Sequence, residues 1–210
     1  MRWLIFVINL IAPVLAIALL IQGKGWLSLP VIAVAHALFL IPTLIPRCSC
    51  CGEVVSSLKD TGIQADKAVW LTIDDGPHPE DTPRLLDLLE AHGARATFFF
   101  IGARARQYPH LVQDVLRRGH DVANHTLTHP QYSFWAYPPA KLAAEIKECQ
   151  QTLKQAAGEM DFTPRWFRAP AGLKNPFVHS LLEKNGLRLA CWNARGLDGV
   201  LTDPEKIMAR

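Results

Sequence analysis

Two neighbouring carboxylates and two imidazoles four residues apart are the side chains of this sequence best suited to chemistry. Asp74 and Asp75 close the apolar run Ala68-Val69-Trp70-Leu71-Thr72-Ile73 and are followed at once by Gly76-Pro77. Further on, His125 and His129 bracket Thr126-Leu127-Thr128. A strand that ends in acids before a turn places them at a sheet or barrel rim, where side chains from several strands converge on a ligand. One carboxylate with two imidazoles is a donor set for a zinc-like divalent ion that keeps open positions. The other carboxylate is then available as a base. Either pair alone says little, because Asp-Asp before Gly-Pro also reads as a solvated Asx turn and His-x3-His recurs without metal. Each pair here follows a strand-like run, and together they point to a metal-dependent hydrolase.

The elements that must position these groups alternate. The run 68 to 75, rich in β-branched and aromatic residues, reads as a buried strand. Asp81-Thr82-Pro83 offers a cap with proline at the first helical position, Leu85, Leu86, Leu88 and Leu89 an apolar stripe, and Gly93 a stop. Residues 96 to 101 predict a second buried strand, 103 to 118 a second helix stopped by Gly119, and 121 to 124 a short strand leading into the histidine pair. A longer helix is expected from about Pro139 to Ala156, strands at 166 to 168 and 187 to 192, a helix from Pro176 to Asn185, and one more opened by Asp203-Pro204-Glu205. Repeated β-then-α units with short links argue for a parallel sheet or barrel. Asp74, Asp75, His125, His129, Arg168 and Asp198 would all lie at or just past strand carboxyl ends, the face where barrel enzymes gather their chemistry.

The first 46 residues differ in kind. They hold no acid and only Arg2 and Lys24 as bases. Trp3 to Ile21 and Trp26 to Pro46 are each long enough to cross a hydrocarbon core of about 30 Å as a helix. Gln22-Gly23-Lys24-Gly25 between them predicts a tight turn, hence a membrane hairpin over 1–47 with spans at about 3–21 and 26–46. His36 in the second span is expected to face the partner helix. A cleaved signal peptide ending near Ala16-Ile17-Ala18 is the alternative, disfavoured by the second span so close behind. The protein is thus placed in the cell membrane, crossing twice, with a juxtamembrane linker at 48–67 and a catalytic domain at 68–210. Arg2, Arg47 and Lys59 flanking the hairpin, against Lys24 in its loop, and an odd five cysteines favour the cytoplasm only weakly, which leaves the side open. Without Arg2 and Lys24, 20 of the 22 Lys and Arg remain against 19 Asp and Glu. So even a balance gives no footprint for nucleic acid.

The ordered motifs resemble the polysaccharide deacetylase family, the NodB-homology domain of carbohydrate esterase family four. Thr72-Ile73-Asp74-Asp75-Gly76-Pro77 matches its first motif, His125-Thr126-Leu127-Thr128-His129 its second, and Arg168-Ala169-Pro170-Ala171-Gly172 its Arg-x-Pro-x-Gly. The resemblance spans about Val69 to the end and leaves out the hairpin. It implies a distorted (β/α) barrel of the NodB-homology type and a divalent metal, zinc above all, held by Asp75, His125 and His129. It further implies Asp74 as general base, Arg168 holding Asp74 ionised, and the backbone N–H of Ala171 as oxyanion donor. The fourth motif is altered: Asp198 is kept, with Arg195 in place of an acid and Gly199 in place of tryptophan. Asp198 would orient a catalytic histidine, or is a plain turn residue. His78, just past the Gly-Pro turn, is placed to reach substrate, with plain surface exposure as the competing reading. The fifth motif, Leu-x-His, and the last barrel strand are expected beyond Arg210, which predicts a barrel incomplete at its C-terminus.

The resulting expectation is a hydrolase removing an N-acyl group, N-acetyl first, from an amino sugar in a membrane-associated or envelope glycan or a lipid-linked sugar, with membrane lipid as the second partner. Two other readings stay open: a catalytically impaired module that binds metal and glycan, and an incomplete chain lacking its general-acid histidine.

Overall fold

The computed structural model describes residues 2–62, 68–195, 203 and 205–206. Its centre is a sheet of five parallel strands in the order β1 (Thr72–Gly76), β2 (Thr97–Phe100), β3 (Asp121–Asn124), β4 (Trp166–Phe167) and β5 (Arg188–Leu189). Between them run α3 (Asp81–Ala91), α4 (Gly102–Gln107), α5 (Pro109–Arg117), α6 (Pro139–Ala156) and α7 (Val178–Lys184), which follow the amino-terminal helices α1 (Arg2–Ile21) and α2 (Ser28–Leu44). Parallel neighbours joined through helices are what the alternating pattern requires.

The register fixes the height of the functional residues. Gly76 pairs with Phe100, Phe100 with Asn124, and Asn124 with Phe167. Asp74 and Asp75, His125 and Arg168 therefore reach the same carboxyl rim. The triplet Phe98-Phe99-Phe100 is buried on both faces. Phe98 and Phe100 pack with Leu86, Val112, Val115 and Leu153 of the covering helices, and Phe99 turns to the other face with Ala123 and Ala190. Phe134, Phe167, Leu182 and Leu189 belong to a second cluster between α6, α7 and the later strands.

Several expectations change, among them the strand expected over 187 to 192, which is only Arg188–Leu189. The strand expected over 68 to 75 begins only at Thr72, and it is an edge that is half covered rather than buried; Val69 is 86% exposed. The helix expected over 103 to 118 is two helices, because Pro109 has no N–H to continue α4 and disfavours helical geometry at Tyr108. α3 begins at Asp81, two residues ahead of the Pro83 expected at its first helical position, and Thr82 Oγ1 accepts from the His78 N–H at 2.9 Å.

The segment after α2 does more than connect. The Val55 N–H donates to the Leu189 carbonyl and the Val55 carbonyl accepts from the Cys191 N–H, 2.9 and 2.8 Å, so this residue extends the sheet past β5. A cavity of about 990 Å³ lies between the two edges, lined by Ser57 and Lys59 on one side, Val69 and Trp70 on the other, and Arg168 and Trp192. All five cysteines are free thiols.

The helical stretches Trp3–Ile21, within α1, and Gly25–Leu44, which is α2 with the turn before it, are both long and apolar enough to cross a membrane. They pack through small residues: Ala12, Ala16 and Ala35 are buried, and Ser28 Oγ donates to the Ala16 carbonyl at 2.9 Å. His36, expected to face the partner helix, is exposed, with Nδ1 on the Ile32 carbonyl of its own helix.

Candidate active site

Among the described residues only four that are not glycine take positive φ, and all four lie in the motifs: Asp75 (66°), Thr126 (68°), His129 (55°) and Ala171 (51°). A side chain in this region costs energy that the surroundings must repay, and such residues cluster at functional sites. The repayment is visible around the histidines. The Thr126 N–H donates to Asn124 Oδ1 (3.0 Å) and the His129 N–H to Thr126 Oγ1 (3.1 Å). The Thr128 N–H and hydroxyl donate to the two carboxylate oxygens of Glu145, at 2.9 and 2.7 Å. Asn124 is itself held by the Ile146 carbonyl and Gln150. Hydrogen bonds to a charged group contribute about 1.5–3 kcal/mol each, enough to hold the loop in its strained shape.

This scaffold brings together the three residues expected to bind metal. Asp75 Oδ1 lies 3.3 Å from His125 Nε2 and 3.1 Å from His129 Nε2. Donors about 2.0–2.2 Å from a tetrahedral cation stand about 3.3–3.6 Å apart, so the spacing suits one ion. The Nδ1–H of His125 donates to the Arg168 carbonyl at 2.8 Å, which aims Nε2 at the shared centre. His125 is buried while Asp75 is exposed, so the centre is walled on one side and open on the other. The adjoining His125 imidazole, then the charges of His129 and Arg104, hold the Asp75 carboxyl below the usual carboxylate range, against the effect of its burial. Burial and the neighbouring His125 push the His129 imidazole down. Both effects favour the ligating forms, carboxylate and neutral imidazole. The residues fit a divalent cation.

Asp74 faces a different partner. Arg168 Nη1 donates to Asp74 Oδ1 at 2.6 Å and to Thr72 Oγ1 at 2.9 Å. The guanidinium is 1% exposed and lies over the Phe99 ring at 4.0 Å and the Trp192 ring at 4.8 Å. Burial lowers its pKa while Asp74 raises it. The turn at Pro170–Gly172 uses the Gly172 and Leu173 N–H groups for its own bonds to Ala169 and Pro170, and not that of Ala171. His78 is half exposed, with Nδ1 3.0 Å from Asp81 Oδ2, and lines a second cavity of about 230 Å³ with Asp74, Asp75 and Arg104. Asp198 lies outside the described residues.

Four contributors escaped the sequence reading. Glu145 and Asn124 support the histidine loop, Arg104 donates to the Asp75 carbonyl, and Trp192 covers Arg168. Only Glu145 left a trace: it interrupts the apolar stripe Leu142, Ile146, Cys149, Leu153 of α6, where a charge needs a buried partner.

The geometry agrees with what comparison with known proteins finds. A family profile described as polysaccharide deacetylase matches residues 61–190. The chain belongs to the polysaccharide deacetylase family. It is 34% identical over 147 residues to a chitooligosaccharide deacetylase of Bradyrhizobium sp., covering 70% of this chain and 65% of that one. It is 36% identical over 128 residues to a peptidoglycan-N-acetylglucosamine deacetylase of Bacillus cereus, covering 61% and 57%. The chain thus spans less than two thirds of the length of these relatives. A family 4 carbohydrate esterase from Streptomyces lividans, solved with acetate, superposes with a TM-score of 0.63 at 35% identity, over 70% of this chain and 73% of that one. A family pseudoenzyme from Bacillus anthracis shares the fold alone, with a TM-score of 0.62 at 22% identity, over 68% of this chain and 49% of that one.

Proposed function

We propose that this chain is a divalent-metal-dependent N-deacetylase acting on N-acetylglucosamine units of a glycan, and that α1 and α2 anchor it in a membrane. The observation that carries the reading is the pairing of two unlike aspartates: Asp75 on two imidazoles, Asp74 on a buried guanidinium. A zinc-like cation held by Asp75, His125 and His129 would lower the pKa of water and polarise the acyl carbonyl. Arg168 pairs with Asp74 and orients it, so that Asp74 takes the proton from the attacking water. The Ala171 N–H donates to the oxygen that gains charge. Water adds its oxygen to the acyl carbon, the C–N bond breaks, and acetate and a free amine leave. The proton that the amine needs comes from Asp74, the acid that the described residues offer there. His179 is buried on α7, and His120 precedes β3 at the opposite end of the sheet from the site.

The residues 68–210 are the catalytic domain in this reading, 1–47 the hairpin and 48–67 the connection, and the sheet is the wall of a distorted barrel whose two edges flank the larger cavity. An impaired glycan-binding module is the second reading, favoured by Arg195, whose guanidinium lies 4.6 Å over Trp192 where the family pattern has an acid nearby. Acetate release from N-acetylchitooligosaccharide, both free and joined to a lipid in vesicles, by the full chain, with bound zinc measured in parallel, tests both. Zinc-dependent release supports the enzyme; stoichiometric zinc and glycan binding without release supports the module.

A further inference from the structure

The catalytic rim is tied directly to the end of the second apolar helix. Lys174, two residues past Arg168-Ala169-Pro170-Ala171-Gly172, is buried, and its Nζ donates to the carbonyls of Ile45 and Pro46 at 3.2 and 2.7 Å. Its backbone N–H points to the Thr43 carbonyl at 3.4 Å. A Cβ on Gly172 would sit 2.8 Å from Pro46 Cβ, so glycine here lets the catalytic turn lie flat against the helix exit. The Phe6 ring, inside the first apolar helix, packs on Phe177 at the start of α7 with centroids 4.6 Å apart.

The next residue extends the same seam. Asn175 Nδ2 donates to the carbonyls of Trp135 and Tyr137 at 2.9 and 3.1 Å, fixing the loop that follows His129. Tyr132 on that loop is 78% exposed. Tyrosine and tryptophan settle at the headgroup level of bilayers. From Arg168 to Gly172 the chain advances four residues, a reach of at most about 14 Å. The headgroup layer on each side of a bilayer is about 5–8 Å deep. The reacting groups therefore lie within about 14 Å of the end of the second apolar helix, and Lys174 fixes that distance.

We infer that the substrate is an N-acetylated amino sugar carried on a lipid, met at the membrane surface, rather than a free oligosaccharide from solution. This rests on the deacetylase and membrane-anchor reading above. The bonds of Lys174 and Asn175 make the hairpin part of the active-site architecture, setting the height at which an amide can be cleaved.

The test uses the full chain with zinc in phosphatidylethanolamine/phosphatidylglycerol vesicles and three probes: soluble N-acetylchitotriose, the same trisaccharide joined directly to a dialkylglycerol, and the trisaccharide joined through a polyethylene glycol spacer longer than the domain. Both lipid probes share the gain of surface concentration, so their ratio reads height alone. The expected result is turnover of the directly joined probe at least tenfold faster than the spaced one. Equal or faster turnover of the spaced probe, or turnover of the soluble probe only, overturns the inference and leaves the deacetylase reading intact. No turnover of any probe sinks that reading and the inference with it. Independently of activity, benzoylphenylalanine in place of Tyr132 should photocrosslink to labelled phospholipid, and at Glu90 on α3 it should not; equal labelling at both, or none at Tyr132, also overturns the inference.

Discussion

The two sides of the candidate active site are built to different standards. On the side of β1 to β3, strands of four or five residues carry Asp74, Asp75 and His125, and the loop with His129 is pinned by Asn124, Thr126 and Glu145. On the side of β4 and β5, strands of two residues carry Arg168 and lead to Trp192, and the altered motif follows. The first side would hold a cation, whose donors must agree within a few tenths of an ångström. The second holds a guanidinium in an aromatic slot, which tolerates looser placement because stacking and charge fall off gradually. Precision is concentrated where coordination demands it.

Substitutions on the two sides should fail differently. Asp75→Ala or His125→Ala removes a ligand, and the purified chain should lose bound zinc and all measurable acetate release. Asp74→Asn should keep its zinc and lose about 10²–10⁴ in rate. Elemental analysis beside the assay separates these outcomes, and equal zinc and equal activity in the three variants would remove the division of labour between the aspartates. Arg168→Met leaves Asp74 without its partner. Breaking a buried pair costs about 3–5 kcal/mol, and the residual solvent access of Asp74 puts this case towards the lower figure, readable as a fall in the urea midpoint at unchanged zinc content. Glu145→Gln keeps the shape of the support and removes its charge. Zinc affinity should weaken by about tenfold, at the mild end of what outer-shell changes do, with the midpoint little altered; unchanged affinity in a zinc competition titration would show that the loop does not need the carboxylate.

What the sequence made legible follows the same division. Asp74, Asp75, His125, His129 and Arg168 were readable because short motifs put scarce chemistry at strand ends, and the structure gathers all five on one rim. Ala171 was placed by resemblance alone, and its positive φ is the structural feature that accompanies it. Glu145, Asn124, Arg104 and Trp192 were not readable as a group, since their partners are distant in sequence and polar residues on a helix usually face water. The edge position of β1 was equally hidden, because an apolar run has the same composition at an edge as in the middle of a sheet. The break at Pro109 was readable in the sequence, because proline has no N–H to continue a helix, and the single helix expected over 103 to 118 passed over it. Nor did anything local announce that Val55 would join β5, which is a long-range pairing with no turn signal.

The far end of the sheet offers the smallest and most discriminating test, because it lies away from any metal. His120, buried just before β3, accepts the Ala96 N–H on Nδ1 at 3.3 Å and stacks edge-on to Phe98 with centroids 5.6 Å apart. Burial, then the charges of Arg118 and Arg95, hold its pKa below the usual imidazole value, with Glu90 opposing. A histidine with a lowered folded pKa contributes stability that is present above the unfolded value, about 6.5, and lost as the pH falls below it, because the unfolded chain takes up the proton first. The melting temperature should therefore drop on going from pH 7.5 to 5.5, and His120→Gln, which keeps an acceptor for Ala96 without titrating, should flatten about 2–4 °C of that drop. Zinc content and rate at pH 7.5 should be the same in both forms. A parallel decline in the two would place the acid sensitivity elsewhere, with the half-buried Asp121 excluded by sign: its raised pKa makes acidification favour the fold.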